Sequence, residues 1–249
     1  MFYNQDEEAL VRKFNSYKDN ASRNYKTILT KFLSLREQEL LSFVIGKGDV
    51  YLYFSSFSSE DEYKRAVISP FEIEPDFKIS LLKLNYNKKF ITLDHRHLLG
   101  NIMGLQIERN MLGNILINKD NDIYIEIASE MEEFLKENLR SIDHTPIELI
   151  NVDKLEGDFS PNLEIKKHYC ASLRVDLIIA ESFNLSRKES LDKIMEGNLK
   201  INSAVELNPC KNIKENDIIS LRGKGRIKII SIGGLSKSGK TMVEIGKYM

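Results

Sequence analysis

A chain of 249 residues, 42% hydrophobic and 29% charged, has room for two or three small domains, each with its own core. No stretch approaches the ~20 apolar residues of a membrane span, and the polar, acidic start Met-Phe-Tyr-Asn-Gln-Asp-Glu-Glu does not read as a signal peptide. The net charge of −1 hides an asymmetry: residues 1–163 hold 20 Lys/Arg against 27 Asp/Glu, whereas residues 164–249 hold 16 against 10. A balance of −7 followed by +6 points to a local nucleic-acid footprint in the last third, not to a uniformly basic protein. Cys170 and Cys210 lie far apart and fit no Cys-x-x-Cys pattern, so they read as reduced thiols of a cytoplasmic protein.

In chain order, Leu10, Val11, Phe14 and Tyr17 recur at helical spacing. Residues 26–46 continue with Ile28, Phe32, Leu35, Leu40, Leu41, Val44 and Ile45, which predicts one or two more helices ended by Gly46. Tyr51 to Phe54 and Ala66 to Ile68 predict a strand pair around a polar segment, and Pro70 and Pro75 mark a boundary. This unit, residues 1–74, carries no motif with readable chemistry.

From Phe77 the pattern changes. Ile79 to Leu84 reads as a strand, Leu98 to Leu105 as a helix, and residues 114–117 and 122–127 as two strands joined by a turn. Ser129 with Glu132 has capping-box spacing and opens a helix with apolar Met131, Phe134, Leu135 and Leu139. Residues 147–152 finish with a strand. The order βαββαβ over residues 75–155 is that of a ferredoxin-like domain, a fold that serves RNA binding, catalysis and metal binding alike. Of the face-exposed aromatics that an RNA-recognition sheet uses, Tyr124 is the single candidate. Residues 153–169 mix Gly, Pro and charge and read as a linker.

The last segment, residues 164–249, holds the readable chemistry. Leu173, Leu177, Ile178 and Ala180 predict a short amphipathic helix over 173–182. Ser186 and Glu189 predict a capping box, Leu191, Ile194 and Met195 a buried face, and Gly197 a helix stop. Arg187 and Lys188 fall in the first turn of that helix, where cations oppose the helix dipole. A phosphate at the exposed N–H groups would explain them; two solvated surface cations is the alternative. Ile218 to Arg222 alternates like a half-buried strand, and Gly223 and Gly225 place Lys224 and Arg226 on a tight turn.

Leu-Arg-Val-Asp at 173–176, Ser-Arg at 186–187, Gly-Asn-Leu-Lys-Ile-Asn at 197–202 and Asn216-Asp217 resemble the alpha-L RNA-binding motif. With Arg-Gly-Lys-Gly-Arg at 222–226, Asp94-His95-Arg96-His97-Leu98-Leu99-Gly100 and Met103-Gly104-Leu105, the whole chain resembles the YlmH family of bacterial ribosome-associated proteins. Asn216 departs from the family pattern, where Gly is usual. The resemblance implies an α+β protein with a mostly helical N-terminal domain bearing a small strand pair, a central ferredoxin-like domain and a C-terminal alpha-L domain. It implies a cytoplasmic, non-enzymatic monomer that needs no cofactor. Its partners would be large-subunit ribosomal RNA and tRNA, in quality control of stalled nascent chains; some family members are linked to cell division. Arg174, Arg187 and Lys188 would be the main phosphate contacts, with Asp176 orienting Arg174 and Ser186 capping. Arg222, Lys224 and Arg226 would extend the patch.

Two further patterns are weaker. Residues 234–241, Gly-Leu-Ser-Lys-Ser-Gly-Lys-Thr, match the P-loop letters. Only eight residues follow, and Met242 to Ile245 reads as a strand, so a basic hairpin tip with Lys237 and Lys240 is the better reading. Asp94-His95-Arg96-His97 invites a metal, but side chains two apart on a helix point away from each other. A helix start capped by Asp94 fits better. No nucleophile–base signature is present. An RNA-modifying enzyme targeted by the basic domain, or a cell-division scaffold, are the competing classes.

Overall fold

The computed structural model describes residues 5–88, 93–236 and 239–248. It divides into two units, residues 1–160 and 161–249, so the boundary expected near residue 75 falls inside the first. None of the described helices is long and apolar enough to cross a membrane.

The first unit opens with helix α1 (Gln5–Asn24), strand β1 (Ile28–Leu29), helix α2 (Leu35–Ile45) and strands β2 (Tyr51–Phe54) and β3 (Ala66–Ser69). Phe14 and Ala21 on α1 meet Leu40, Leu41 and Ile45 on α2, and both helices pack on Ala66 and Ile68. The strands form an antiparallel sheet in the order β1-β3-β2. Residues 28–32 are therefore extended, not helical. Thr27, Ile28 and Thr30 are β-branched, Ile28 and Leu29 pair with β3, and the Thr30 hydroxyl accepts the Ala66 N–H at 2.8 Å.

A second sheet follows, from β4 (Ile79–Tyr86), α3 (His95–Gly104), β5 (Leu112–Ile117), β6 (Ile123–Ala128), α4 (Glu132–Asn138), β7 (Ser141–Ile142) and β8 (Thr145–Asn151). Its order is β5-β6-β4-β8-β7, antiparallel throughout. Each helix connection thus spans a strand of the other half, the split βαβ order. Leu98, Ile102 and Leu135 pack on Leu82, Leu84, Ile123, Ile125 and Ile127. The capping box expected at Ser129 does not form. Residues 129–131 make a 3-10 turn ahead of α4. The Ser80 hydroxyl bridges the Ser129 hydroxyl (3.0 Å) and the Glu132 carboxylate (2.5 Å). Phe134 is exposed.

The other face of this sheet is also covered. Tyr124 is fully buried, with Leu81, Leu116, Val152, Leu155 and Phe159 around it, and the Phe159 ring stands edge-on to it at 5.4 Å. It offers no ring to a base. Residues 155–160 are accordingly a strap and not a loose linker. Asn118 Nδ2 donates to the Glu156 carbonyl (2.9 Å), the Lys119 N–H to the Asp158 carbonyl (3.0 Å), and Lys119 and Asp158 form an ion pair. At the other end of the face, Phe32 lies so close to Gly113 that a Cβ there would sit 2.5 Å from its ring.

Among the described residues, the second unit is one sheet with two helices: β9 (Leu163–Cys170), α5 (Val175–Phe183), α6 (Arg187–Met195), β10 (Leu199–Ile201), β11 (Ala204–Val205), β12 (Ile218–Leu221), β13 (Gly225–Leu235) and β14 (Thr241–Tyr248), in the order β11-β10-β12-β13-β14-β9. Strand β9 is its edge, paired with β14 over eight residues, although residues 163–169 are expected in the linker. Ile178, Ile179 and Ile194 of the helices meet Ile219, Ile227, Ile229, Val243 and Ile245 of the sheet.

Gly157 has φ +100°, and a Cβ there would lie 2.4 Å from Asn118 Nδ2. Gly157→Ala should cost roughly 1–3 kcal/mol, through backbone strain and displacement of the strap. Urea unfolding followed by circular dichroism checks it.

Candidate nucleic-acid interface

Two helix starts meet in the second unit. Arg174 is the N-cap residue of α5 with an extended backbone. Its fork grips Asp176, Nε to Oδ1 at 3.0 Å and Nη2 to Oδ2 at 2.7 Å. The carboxylate raises the guanidinium pKa above its ordinary value. Asp176 is wholly buried, so it holds Arg174 and touches no solvent-borne ligand. Its charge in the first turn suits the helix dipole. Ser190, also buried, donates its hydroxyl to the Asp176 carbonyl at 2.6 Å and ties α5 to α6.

Helix α6 starts as its sequence predicts. Ser186 Oγ accepts the Glu189 N–H at 3.2 Å, and Glu189 Oε2 accepts the Ser186 N–H at 2.8 Å. The Ser186 backbone N–H first, and the Ser186 hydroxyl second, hold the Glu189 carboxyl below its usual range, and the charges of Lys224 and Lys193 lower it further. The helix ends in a Schellman motif: the Asn198 N–H reaches the Lys193 carbonyl at 3.0 Å and the Gly197 N–H the Ile194 carbonyl at 2.9 Å. Met195, expected in the buried face, is 68% exposed. Ser190, with its bond to α5, takes the inner place. Arg187 and Lys188 project from the first turn, both exposed.

The β12–β13 turn stands beside this helix. The Arg222 N–H donates to the Asn198 carbonyl at 3.0 Å, and Lys224 is close enough for its charge to act on Glu189. Gly223 (φ +77°) and Gly225 (φ +114°) supply the left-handed backbone of the turn. Arg222 and Lys224 are exposed. Arg226 is not at the tip. It is half-buried at the start of β13, its guanidinium 4.9 Å from the Tyr248 ring centroid. Asn216 has φ +68°, a left-handed backbone that Asn tolerates better than most side chains do.

The P-loop letters fall on the β13–β14 hairpin. The Gly239 N–H donates to the Ser236 carbonyl (2.9 Å) and the Lys240 N–H to Ser236 Oγ (3.1 Å), so these donors serve the turn. Thr241 opens strand β14 where a nucleotide site needs a helix. Lys240 is exposed and lies at the opposite end of β13 from Lys224; Lys237 lies outside the described residues. Of the cations expected as one patch, Lys224 stands beside the first turn of α6 that carries Arg187 and Lys188, Arg174 is on the helix that Ser190 ties to α6, Arg222 is anchored at the far end of α6, and Lys240 lies apart. In the first unit, Asp94 Oδ1 caps α3 by accepting the His97 N–H at 2.7 Å. His97 Nε2 stands 3.5 Å from Asp143 Oδ2, and Arg96 is exposed.

The architecture and the sequence agree with known proteins. Residues 73–156 match the family model described as "Putative RNA-binding domain in YlmH". The "Ribosome-associated protein quality control protein P2" of Bacillus subtilis (strain 168) is 31% identical over 245 residues, 97% of this chain and 95% of that protein. The chain belongs to the YlmH family. A solved structure, "Cell division protein ylmH from Streptococcus pneumoniae", aligns with a TM-score of 0.51 and 24% identity, covering 61% of this chain and 94% of that one. It bears on the fold alone.

The family model thus attaches RNA binding to the central domain of YlmH proteins, a region whose charge and aromatics give no such sign in the sequence. Its sheet face is closed by the strap, by Phe32 and by the 55–63 loop, so a nucleic acid has to meet its edges, turns or helical side. The exposed first turn of α3, with His95 and Arg96, is a feature there that the sequence singles out and that stays open to solvent.

Arg174→Ala should lower the melting temperature by several degrees, because it strands a buried carboxylate. Arg187→Ala should leave it unchanged or slightly raised, because it removes a charge that opposes the dipole. Thermal melts of both variants compare them directly. Calorimetry with Mg-ATP and Mg-GTP should show no saturable micromolar binding that Lys240→Ala removes.

Proposed function

We propose that this protein is a non-enzymatic, cytoplasmic RNA-binding factor of the large ribosomal subunit. It acts on subunits that retain tRNA and a stalled nascent chain. The observation that carries the reading is similarity along nearly the whole chain to a protein named for ribosome-associated quality control. The exposed cations at the start of α6 and on the β12–β13 turn support it. Arg187 and Lys188 gain nothing for the helix and suit a phosphate. Arg174, held rigidly by Asp176, presents its remaining donors without further loss of rotamer freedom. Arg222 and Lys224 extend the contact to a second stretch of backbone. The mechanism is grip by backbone charge and shape, with specificity from the structured RNA itself.

One other reading is a cell-division scaffold. Sedimentation separates the two. The full chain should travel with large subunits at low salt and leave them as salt rises. Arg187→Ala with Lys188→Ala should weaken that association. The log K against log salt slope should shrink by roughly 0.7–0.9 for each phosphate no longer neutralised. A chain that stays at the top of the gradient with or without subunits would remove the ribosomal reading and leave the scaffold.

A further inference from the structure

The covered end of the central sheet contains two carboxyl groups that the RNA surface does not use. Asp61, in the loop between β2 and β3, is 6% exposed, and Glu126, on β6, is 1% exposed. Each has one oxygen well supplied with donors. Asp61 Oδ2 accepts the Phe57 N–H (2.7 Å) and the Ser58 N–H (2.9 Å). Glu126 Oε2 accepts Asn114 Nδ2 at 2.8 Å. The same Asn114 holds the loop, because its Oδ1 accepts the Glu62 and Tyr63 N–H groups at 3.0 Å each and its Nδ2 also reaches the Tyr63 carbonyl at 2.8 Å. Each carboxyl has a second oxygen, Asp61 Oδ1 and Glu126 Oε1, that is buried and meets no donor from the protein.

Two neighbouring carboxylates cannot both stay ionised out of water. We propose that Asp61 and Glu126 share one proton between Oδ1 and Oε1, and that this proton fastens the 55–63 loop to the central sheet. The O–H of one carboxylic acid then donates to the oxygen of the other group, and both orphan oxygens are satisfied. Burial first, and the charge of Asp61 second, push the Glu126 carboxyl up to about 8, so the proton is present at neutral pH.

The cations on the surrounding elements are committed elsewhere. Arg65 on β3 donates to the Thr30 and Lys78 carbonyls, both at 2.8 Å, and approaches Glu130 at 3.4 Å. Arg109 donates to the Leu112 carbonyl and lies 3.9 Å from the Tyr63 ring centroid. Lys83 on β4 faces Tyr124 and Asp122. Glu60 and Glu62 flank Asp61 and can only add negative charge.

A carboxyl whose folded pKa is raised binds its proton more tightly in the folded state. The stability it contributes is full below the ordinary Glu value and falls as pH rises toward about 8. Within that window, one proton means a tenfold drop in the folded-to-unfolded ratio per pH unit, levelling off above it.

The test uses the full chain. Infrared spectra of the wild type should show a buried protonated-carboxyl band at about pH 6 that fades by about pH 9. Glu126→Gln, whose amide can donate to Asp61 Oδ1, should lack the band and lose the tenfold-per-unit slope in urea unfolding. Chelator should change neither measurement in the wild type. Absence of the band overturns the shared proton, as does a slope that Glu126→Gln leaves intact. Loss of stability on adding chelator would show that a cation, not a proton, joins the two oxygens. If Glu126→Gln does not fold, the wild-type band and its pH dependence decide alone.

Discussion

Burial of strand β6 on both faces is the constraint on which much of the first unit depends. Ile123, Ile125 and Ile127 face the helices, and Tyr124, Glu126 and Ala128 face the other way, yet all six are buried. An antiparallel sheet commonly leaves one face to water. Here the second face is roofed by two separate pieces of chain. One is the strap at residues 155–160, seated on Tyr124. The other comes from the N-terminal segment, with Phe32 against Gly113 and the 55–63 loop over Asn114 and Glu126. The two sheets of the first unit are joined by this roof, which places buried polar groups where an open sheet would carry solvent-facing ones.

That arrangement bears on how the family uses the central domain. An RNA-recognition sheet works by leaving aromatic rings uncovered so that bases can stack. Tyr124 spends its ring on Phe159 and Leu155 instead. Whatever RNA the central domain meets has to be read from its rim or its helical side. The basic character of the chain is concentrated in the other unit, where exposed cations stand on a capped helix and a glycine turn.

In the second unit, the pair Arg174–Asp176 plays the organising part. A buried carboxylate at the start of α5 is tolerable because a fork of two charge-assisted bonds and the helix dipole both satisfy it. In return it holds an arginine at the surface in one orientation. Ser190 repeats the device in neutral form, linking the two helices by a bond to backbone. Positions that look alike as charged letters therefore divide into a buried holder, Asp176, a held group, Arg174, and free-standing cations, Arg187 and Lys188.

Local chemistry was legible in the sequence. The Ser186–Glu189 box, the stop at Gly197, the Asp94 cap, the strand pair 51–54 and 66–68, and the hairpin behind the P-loop letters all depend on residues within a few positions of each other. They are decided by caps, turns and alternation. The strand order of the central sheet was also within reach, because short connections leave few ways to arrange four strands and two helices. What the sequence could not decide depends on distant partners. Residues 28–32 have helical spacing but pair with β3, some forty residues on. Ser129 has a capping letter but bonds to Ser80. Residues 153–169 have a linker's composition but bury Phe159 on Tyr124 and pair with β14. Arg226 and Lys240 share a basic stretch with Lys224, yet one stacks on Tyr248 and the other lies at the far end of a strand. In each case a long-range contact removes more surface from water, or satisfies more backbone, than the local preference does. Only the folded chain brings those partners together.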